Sequence, residues 1–259
     1  MAKDRIGTGD PSRTLELLWR EPGRGGGKGR GPKQGLSVDQ VVRAAIELAD
    51  AEGLDAVTMR RVAERLGVTP MTLYTYVPGK AELLDLMLDA VYLRMERTDH
   101  SGEPWRERVT AVARENLELA DRHPWTTALT VTRPPLGPGL VAKYEHELRA
   151  FEGLGLDDVE QDAALTHLLD FVQSTARKAH DAAAAERDSA MSDEQWWAAN
   201  EPLLARVFDP ERYPVATRVG SAAGEAHQSA YSAEHAYEFG LRLILEGLAG
   251  LVGETAARG

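Results

Sequence analysis

GVTPMTLYTYVPGK, residues 67–80, is too short and too mixed to be an ordinary core helix. Thr69 is placed to cap a helix. Pro70 suits its first turn, where a missing N–H costs nothing, and Pro78-Gly79 ends it. The spacing predicts a helix of about two turns over Pro70–Tyr76. Leu73 and Val77, one turn apart, take its inward face. Tyr74 and Tyr76 are two residues apart, roughly 200° around a helix, so they point to different sides.

Upstream, Ser37-Val-Asp-Gln40 reads as a capping box, with Leu36 and Val41 as its hydrophobic staple. Val38, Val41, Val42, Ala45, Leu48 and Ala49 then recur at helical spacing, and Gly53 stops that helix. Thr58 caps a second helix over Met59–Leu66, with Val57 and Val62 as a second staple and Gly67 at its end. Two short helices joined at a glycine after a longer one make a helix-turn-helix. Such a unit lays its second helix in the DNA major groove, N-terminal residues at the base edges. Pro70 and Met71 suit a thymine methyl, and Thr72 suits a hydrogen bond or a methyl contact. Lys80 stands at the N-terminus of the next helix, where the helix dipole does not favour a cation, so an anionic partner accounts for it. Arg60 and Arg61, in the first turn after Thr58, are equally out of place for a helix alone. Taken singly, each has a plainer reading: tyrosines at the rim of a core, cations solvated at a surface. Taken together with the caps and staples they favour DNA.

The chain has 259 residues, 43% of them apolar, enough for one large domain or two ordinary ones. It has no cysteine, which excludes disulfides, zinc–thiolate sites and thiol catalysis. The N-terminus lacks an apolar signal region and no apolar run approaches the length of a membrane span, so a cytoplasmic protein with no membrane partner is expected. Net charge is −11, unevenly spread: residues 1–80 hold 13 Lys/Arg against 10 Asp/Glu, and the rest hold 17 against 31. A less acidic N-terminal part and a strongly acidic remainder suit two different tasks. Residues 1–21 carry a weak helical pattern around RTLELLWR. EPGRGGGKGRGPKQG, residues 21–35, is basic and glycine-rich, a flexible linker or an arm that reaches DNA. It is not a phosphate-binding loop: GRGGGK is one residue short and no strand precedes it.

Beyond residue 80 only helical periodicity is found. Helices are expected from Lys80, over Trp105–Arg122, Leu140–Phe151, Val159–Ala185, Ser192–Val207 and Tyr231–Val252, with 209–230 irregular. Leu165, Leu168, Leu169, Val172 and Ala176 form a stripe that suits either a buried face or, with Tyr237–Leu251, an intersubunit bundle. The seven histidines show no pair at metal-ligand spacing, and no serine or acid is placed to make a catalytic cluster. No cofactor, no metal and no enzymatic activity are expected.

Residues 36–84 resemble the DNA-binding domain of TetR-family transcriptional regulators through AIELADAEGL (45–54), VTMRRVAERLGV (57–68) and TLYTYVPGK (72–80). The resemblance implies phosphate contacts at Thr58, Tyr74 and Lys80 and base reading at Arg60, Pro70, Met71 and Thr72. Tyr76, a further candidate DNA contact, matches a position that is often histidine or phenylalanine. HPW (123–125), TRPPLGPGL (132–140), EHEL (145–148) and DFV (170–172) resemble the C-terminal domain of the tetracycline-repressor branch. That implies a homodimer with a ligand pocket in each helical domain, and places Thr132 and Arg133 near it. The branch's magnesium-binding histidine falls at Leu129 and its magnesium-linked glutamate at Lys178, which speaks against a magnesium–tetracycline effector. Trp125, Phe171 and Trp196 are candidate pocket walls.

The expected molecule is therefore all-α: a basic extension (1–35), a helix-turn-helix domain (36–82) and a helical effector-binding and dimerisation domain (83–259). The expected function is a homodimeric repressor that leaves a palindromic double-stranded operator when an unidentified small molecule binds. The alternative is a constitutive or architectural DNA-binding protein with no effector.

Overall fold

The computed structural model describes residues 6–7, 9–21, 35–129, 133–227 and 231–258, with side chains described to residue 252. Its regular elements are all helical. They are α1 (Pro11–Leu18), α2 (Val38–Glu52), a 3-10 turn (Leu54–Ala56), α3 (Met59–Arg65), α4 (Pro70–Tyr74), α5 (Lys80–Arg94) and α6 (Trp105–Arg122). There follow α7 (Trp125–Ala128), α8 (Pro138–Leu148), α9 (Asp158–Ser189), α10 (Asp193–Val207), α11 (Pro214–His227) and α12 (Ala233–Arg258).

The capping signals are all made. Gln40 N–H donates to Ser37 Oγ at 3.2 Å and Ser37 N–H donates to Gln40 Oε1 at 2.8 Å. Thr58 and Thr69 each accept the N–H three residues on, at 3.2 Å. Gly53 and Gly67 hold φ of +82° and +67°, a region where a Cβ is strained, and so turn the chain sharply out of α2 and α3. The expected stripe of α2 is buried against α5 and α3. Helix α4 is shorter than expected. Thr75 and Tyr76 N–H groups bond back three residues, tightening the chain into a turn before Pro78.

Two hydrophobic cores form. The first gathers α1–α5 with Leu119, Trp125 and Leu129. The second joins α6, the α8–α9 connection, α9 and α12. Helix α5 is buried on nearly every side, so the boundary expected at 82/83 falls inside one continuous helix that belongs to both parts. The first 35 residues are not all extension. Ile6, Leu17 and Leu18 are buried in the first core and α1 packs on α5. The glycine-rich residues 22–34 lie outside the described residues.

One further expectation is corrected, and one open choice is decided. Residues 214–227, expected to be irregular, are helix α11. Pro214 stands at its start, and Gly224 faces the Trp197 ring of α10, where a Cβ would sit 3.3 Å from Cζ2. Gly224, which looks like a breaker, permits close packing against Trp197. Of the two readings left open for the stripe Leu165, Leu168, Leu169, Val172 and Ala176, the structure takes the buried face: Leu165, Leu168, Val172 and Ala176 are buried within the chain, where α9 packs on α6, with Leu169 partly buried beside them.

Candidate DNA-contacting helix and effector cavity

Helix α4 is anchored by Leu73, and the turn after it by Val77; both are fully buried. Everything else on its N-terminal turn faces out. Met71 is 75% exposed and Tyr74 46%, with Pro70 and Thr72 beside them. A methionine this exposed on a five-residue helix is not packing anything within the chain. Thr72 Oγ1 lies 3.0 Å from Thr69 Oγ1, so its hydroxyl is held close to the cap. Thr58 and Arg60 are exposed on the start of α3, and Arg60 is only loosely paired with Glu64 at 3.6 Å. Lys80 is half-buried at the start of α5. Tyr76 differs: it is half-buried and packs against the first core, a rim aromatic on the far side of α4 from Tyr74. Arg61, counted among the out-of-place cations, is explained within the chain, since its guanidinium meets both Glu52 oxygens at 2.8 Å.

The four described candidate pocket residues, Trp125, Arg133, Phe171 and Trp196, are not brought together. Trp125 is buried in the first core, where its indole N–H donates to Asp50 Oδ1 at 2.7 Å and ties α7 to α2. Phe171 stacks on Tyr237 between α9 and α12, with centroids 5.9 Å apart. Trp196 is exposed on α10, and its neighbour Trp197, not Trp196 itself, lines a groove of about 660 Å³ between α10 and α11. Arg133 is exposed beside Gly7, and Thr132 lies outside the described residues.

A cavity of about 220 Å³ lies instead between α5, α6, α7, α8 and α9, lined by Tyr92, Asn116, Thr126, Lys143, Asp170 and Gln173, among others. One of its lining residues, Lys143, belongs to an ion pair buried behind the cavity wall. Lys143 Nζ sits 2.6 and 2.8 Å from the two Glu147 oxygens, and Asn116 Nδ2 donates to Glu147 Oε1 at 2.5 Å. Lys143 and Glu147 are 5% and 1% exposed. The Lys143 ammonium lies over the Tyr92 ring, 5.2 Å from its centroid. Burial, and then the Glu147 and Asp89 carboxylates, push the Tyr92 phenol above its ordinary value. Burying a charge pair is rarely favourable for stability by itself. The sequence carried a signal. In α8 the apolar Val141 and Tyr144 face out while Lys143 and Glu147 face in, inverting the usual pattern. The pair also runs Lys-then-Glu, the weaker order along a helix.

Among the described residues no cluster of three or more His, Asp or Glu is placed to hold a metal ion, and no helix is long and apolar enough to cross a membrane.

Comparison with known proteins agrees with this geometry. Residues 41–87 match the family described as bacterial regulatory proteins, tetR family, and residues 99–252 match the tetracyclin repressor-like C-terminal domain. The chain is 42% identical over 249 residues to the HTH-type transcriptional repressor DrrR1 of Streptomyces coeruleorubidus, covering 96% of this chain and 89% of that one. It is 37% identical over 75 residues to the class D tetracycline repressor of Escherichia coli, 27% of this chain and 34% of that one. Among solved structures, ActR of Streptomyces coelicolor in complex with actinorhodin superposes with a TM-score of 0.70 at 27% identity, covering 86% of this chain and 99% of that one. This chain belongs to the TetR family of transcriptional regulators.

Proposed function

We propose that the chain is a homodimeric repressor that binds a palindromic operator through α4 and releases it when a small molecule occupies the cavity over Lys143. The observation that carries the DNA-binding half is the exposed turn Pro70–Tyr74, held rigid by two buried side chains and by the Thr69 cap. In this reading Pro70, Met71, Thr72 and Arg60 meet bases, and Thr58, Tyr74 and Lys80 meet phosphates. Tyr76 contributes only at the rim.

What supports a homodimer is the outer face of α9 and α12. Leu243, Leu251 and Gly247 of α12 and Ala163 and His167 of α9 line an open apolar groove of about 570 Å³, with Leu243 and Leu251 more than half exposed. A second copy of the same helix pair would cover it as a four-helix bundle.

What supports an effector is the cavity and its chemistry. Lys143 has a third N–H beyond the two that face Glu147, and it suits a carbonyl, phenolate or carboxylate oxygen on the ligand. At about 220 Å³ the cavity is below the usual ~300–1,000 Å³ of drug-sized pockets. A ligand of that size must therefore push the walls apart, and a ligand that binds only the expanded form shifts the protein towards it. ActR, whose structure holds actinorhodin, is a relative that takes such a molecule.

The test is footprinting of DNA upstream of the chain's own reading frame, together with sedimentation of the protein alone. A dimer protecting two half-sites about one helical turn apart, 34–36 Å, is expected. A monomer, or a single protected half-site, contradicts the reading.

A further inference from the structure

Helix α5 buries three carboxylates along one face. Glu82, Asp85 and Asp89 are 8%, 1% and 4% exposed. Buried acids need partners, and here each accepts backbone N–H groups from outside the helix. Asp10 N–H donates to Glu82 Oε1 at 3.2 Å, Gly7 N–H to Asp85 Oδ1 at 2.9 Å, and Leu140 N–H to Asp89 Oδ1 at 2.9 Å. Two separate stretches of chain are thus fastened to one helix: residues 6–7 with 9–20, and the start of α8. The approach is close enough to require glycine. Gly7 holds φ of +72° with its missing Cβ 2.8 Å from Arg133, and a Cβ on Gly139 would sit inside the contact shell of the Asp89 carbonyl oxygen.

Residues 6–20 reach further than α5. The Trp19 indole N–H donates to Leu136 O at 2.7 Å, on the loop that joins α7 to α8. The Arg20 guanidinium pairs with Asp39 in the first turn of α2. Both helices joined by that loop line the cavity, α7 through Thr126 and Thr127 and α8 through Lys143. The end of the segment, through the adjacent Trp19 and Arg20, therefore joins the outside of the cavity wall to α2.

We propose that residues 6–7 and 9–20 are a strap that positions the α7–α8 loop against α5 and α2, fastened to α5 through Gly7 and Asp10 at one end and carrying the adjacent positioning residues Trp19 and Arg20 at the other. Its role as a second route from cavity to DNA, beside α5, rests on the effector reading above. The mechanical claim does not. A strap held at both ends resists any change that separates the cavity wall from the DNA-binding helices, and such a shared element is what coupling between two sites requires.

The test is amide hydrogen exchange on the full chain, wild type against Trp19→Phe/Arg20→Gln, with no DNA or small molecule present. Trp19 is 56% exposed, so its replacement disturbs little of the core. Exchange is expected to rise about fivefold, the effect of losing a net hydrogen bond, in both 133–140 and 36–45, and to stay unchanged in α12. A rise confined to residues 6–20 overturns the proposal, because the strap then restrains only itself. A uniform rise that includes α12 also overturns it, because the change is then one of overall stability. Since no DNA is used, a failure here is separate from a failure of the repressor reading.

Discussion

Tyr74 and Tyr76 stand two residues apart and have different environments. Tyr74 is exposed on the outer side of α4, whereas Tyr76 leans on the core. Tyr74→Phe removes one hydroxyl and no packing. We expect it to weaken DNA binding about fivefold on every sequence tested, the size of one net hydrogen bond, and to leave the melting temperature unchanged. Weakening on one sequence only would mean that Tyr74 reads a base. Asp85 makes a second case at this scale. Burial pushes its carboxyl up to about 6, against the opposing Gly7 N–H, and the neighbouring Glu82 charge adds to the rise. The folded chain therefore holds the Asp85 proton more tightly than the unfolded chain does. Stability from this group is full below about pH 4 and is lost as pH rises towards 6. Asp85→Asn keeps an acceptor for Gly7 and removes the charge. It should raise the melting temperature at pH 8 by on the order of 5 °C and by less at pH 4.5. An equal gain at both values would trace it to packing instead of charge. Neither environment was fully legible in the sequence. Periodicity places Tyr74 and Tyr76 on opposite sides, but which side is buried depends on Leu73 and Val77 meeting a core built from residues far along the chain.

Elements were legible where local chemistry decides them. The caps at Ser37, Thr58 and Thr69 and the turns at Gly53 and Gly67 are interactions of a few neighbouring residues, and the helix-turn-helix follows from them. Elements whose character depends on distant partners were not. α8 hides its charged face because the cavity and Asn116 of α6 lie there, and α11 places Gly224 where Trp197 of α10 packs against it. The candidate pocket failed for the same reason: Trp125, Phe171 and Trp196 are large and aromatic, but each is claimed by a different neighbour, Asp50, Tyr237 and solvent. Glycine substitutions separate the two uses of that residue. Gly139→Ala places a methyl against the Asp89 backbone and should destabilise by more than about 2 kcal/mol in urea unfolding. Gly220→Ala, in α11 with open space around it, should stabilise by up to about 1 kcal/mol. The reverse order would mean that α5 and α8 are not pressed together as described.

At the scale of the whole molecule, the charge asymmetry of the sequence matches the division of labour proposed here. The acidic C-terminal part carries the cavity, and the less acidic N-terminal part carries the exposed α4 turn. The sequence also marked a boundary near residue 82 that the fold does not respect, because α5 is shared by the first core and the cavity wall. A helix that belongs to both parts is what a regulator needs. In the proposed function, a wall displacement at Tyr92 would be carried to Lys80, twelve residues earlier on the same helix. The account stands or falls on whether the α4 turn reads sequence. The direct measurement is fluorescence anisotropy of the full chain on its own upstream DNA and on a scrambled duplex of equal length, near about 150 mM salt. Binding at least about a thousandfold tighter to the upstream DNA is predicted, as for a sequence-specific regulator. Equal binding to both duplexes, falling steeply with salt, would mean that phosphate contacts alone hold the DNA, and would contradict the account.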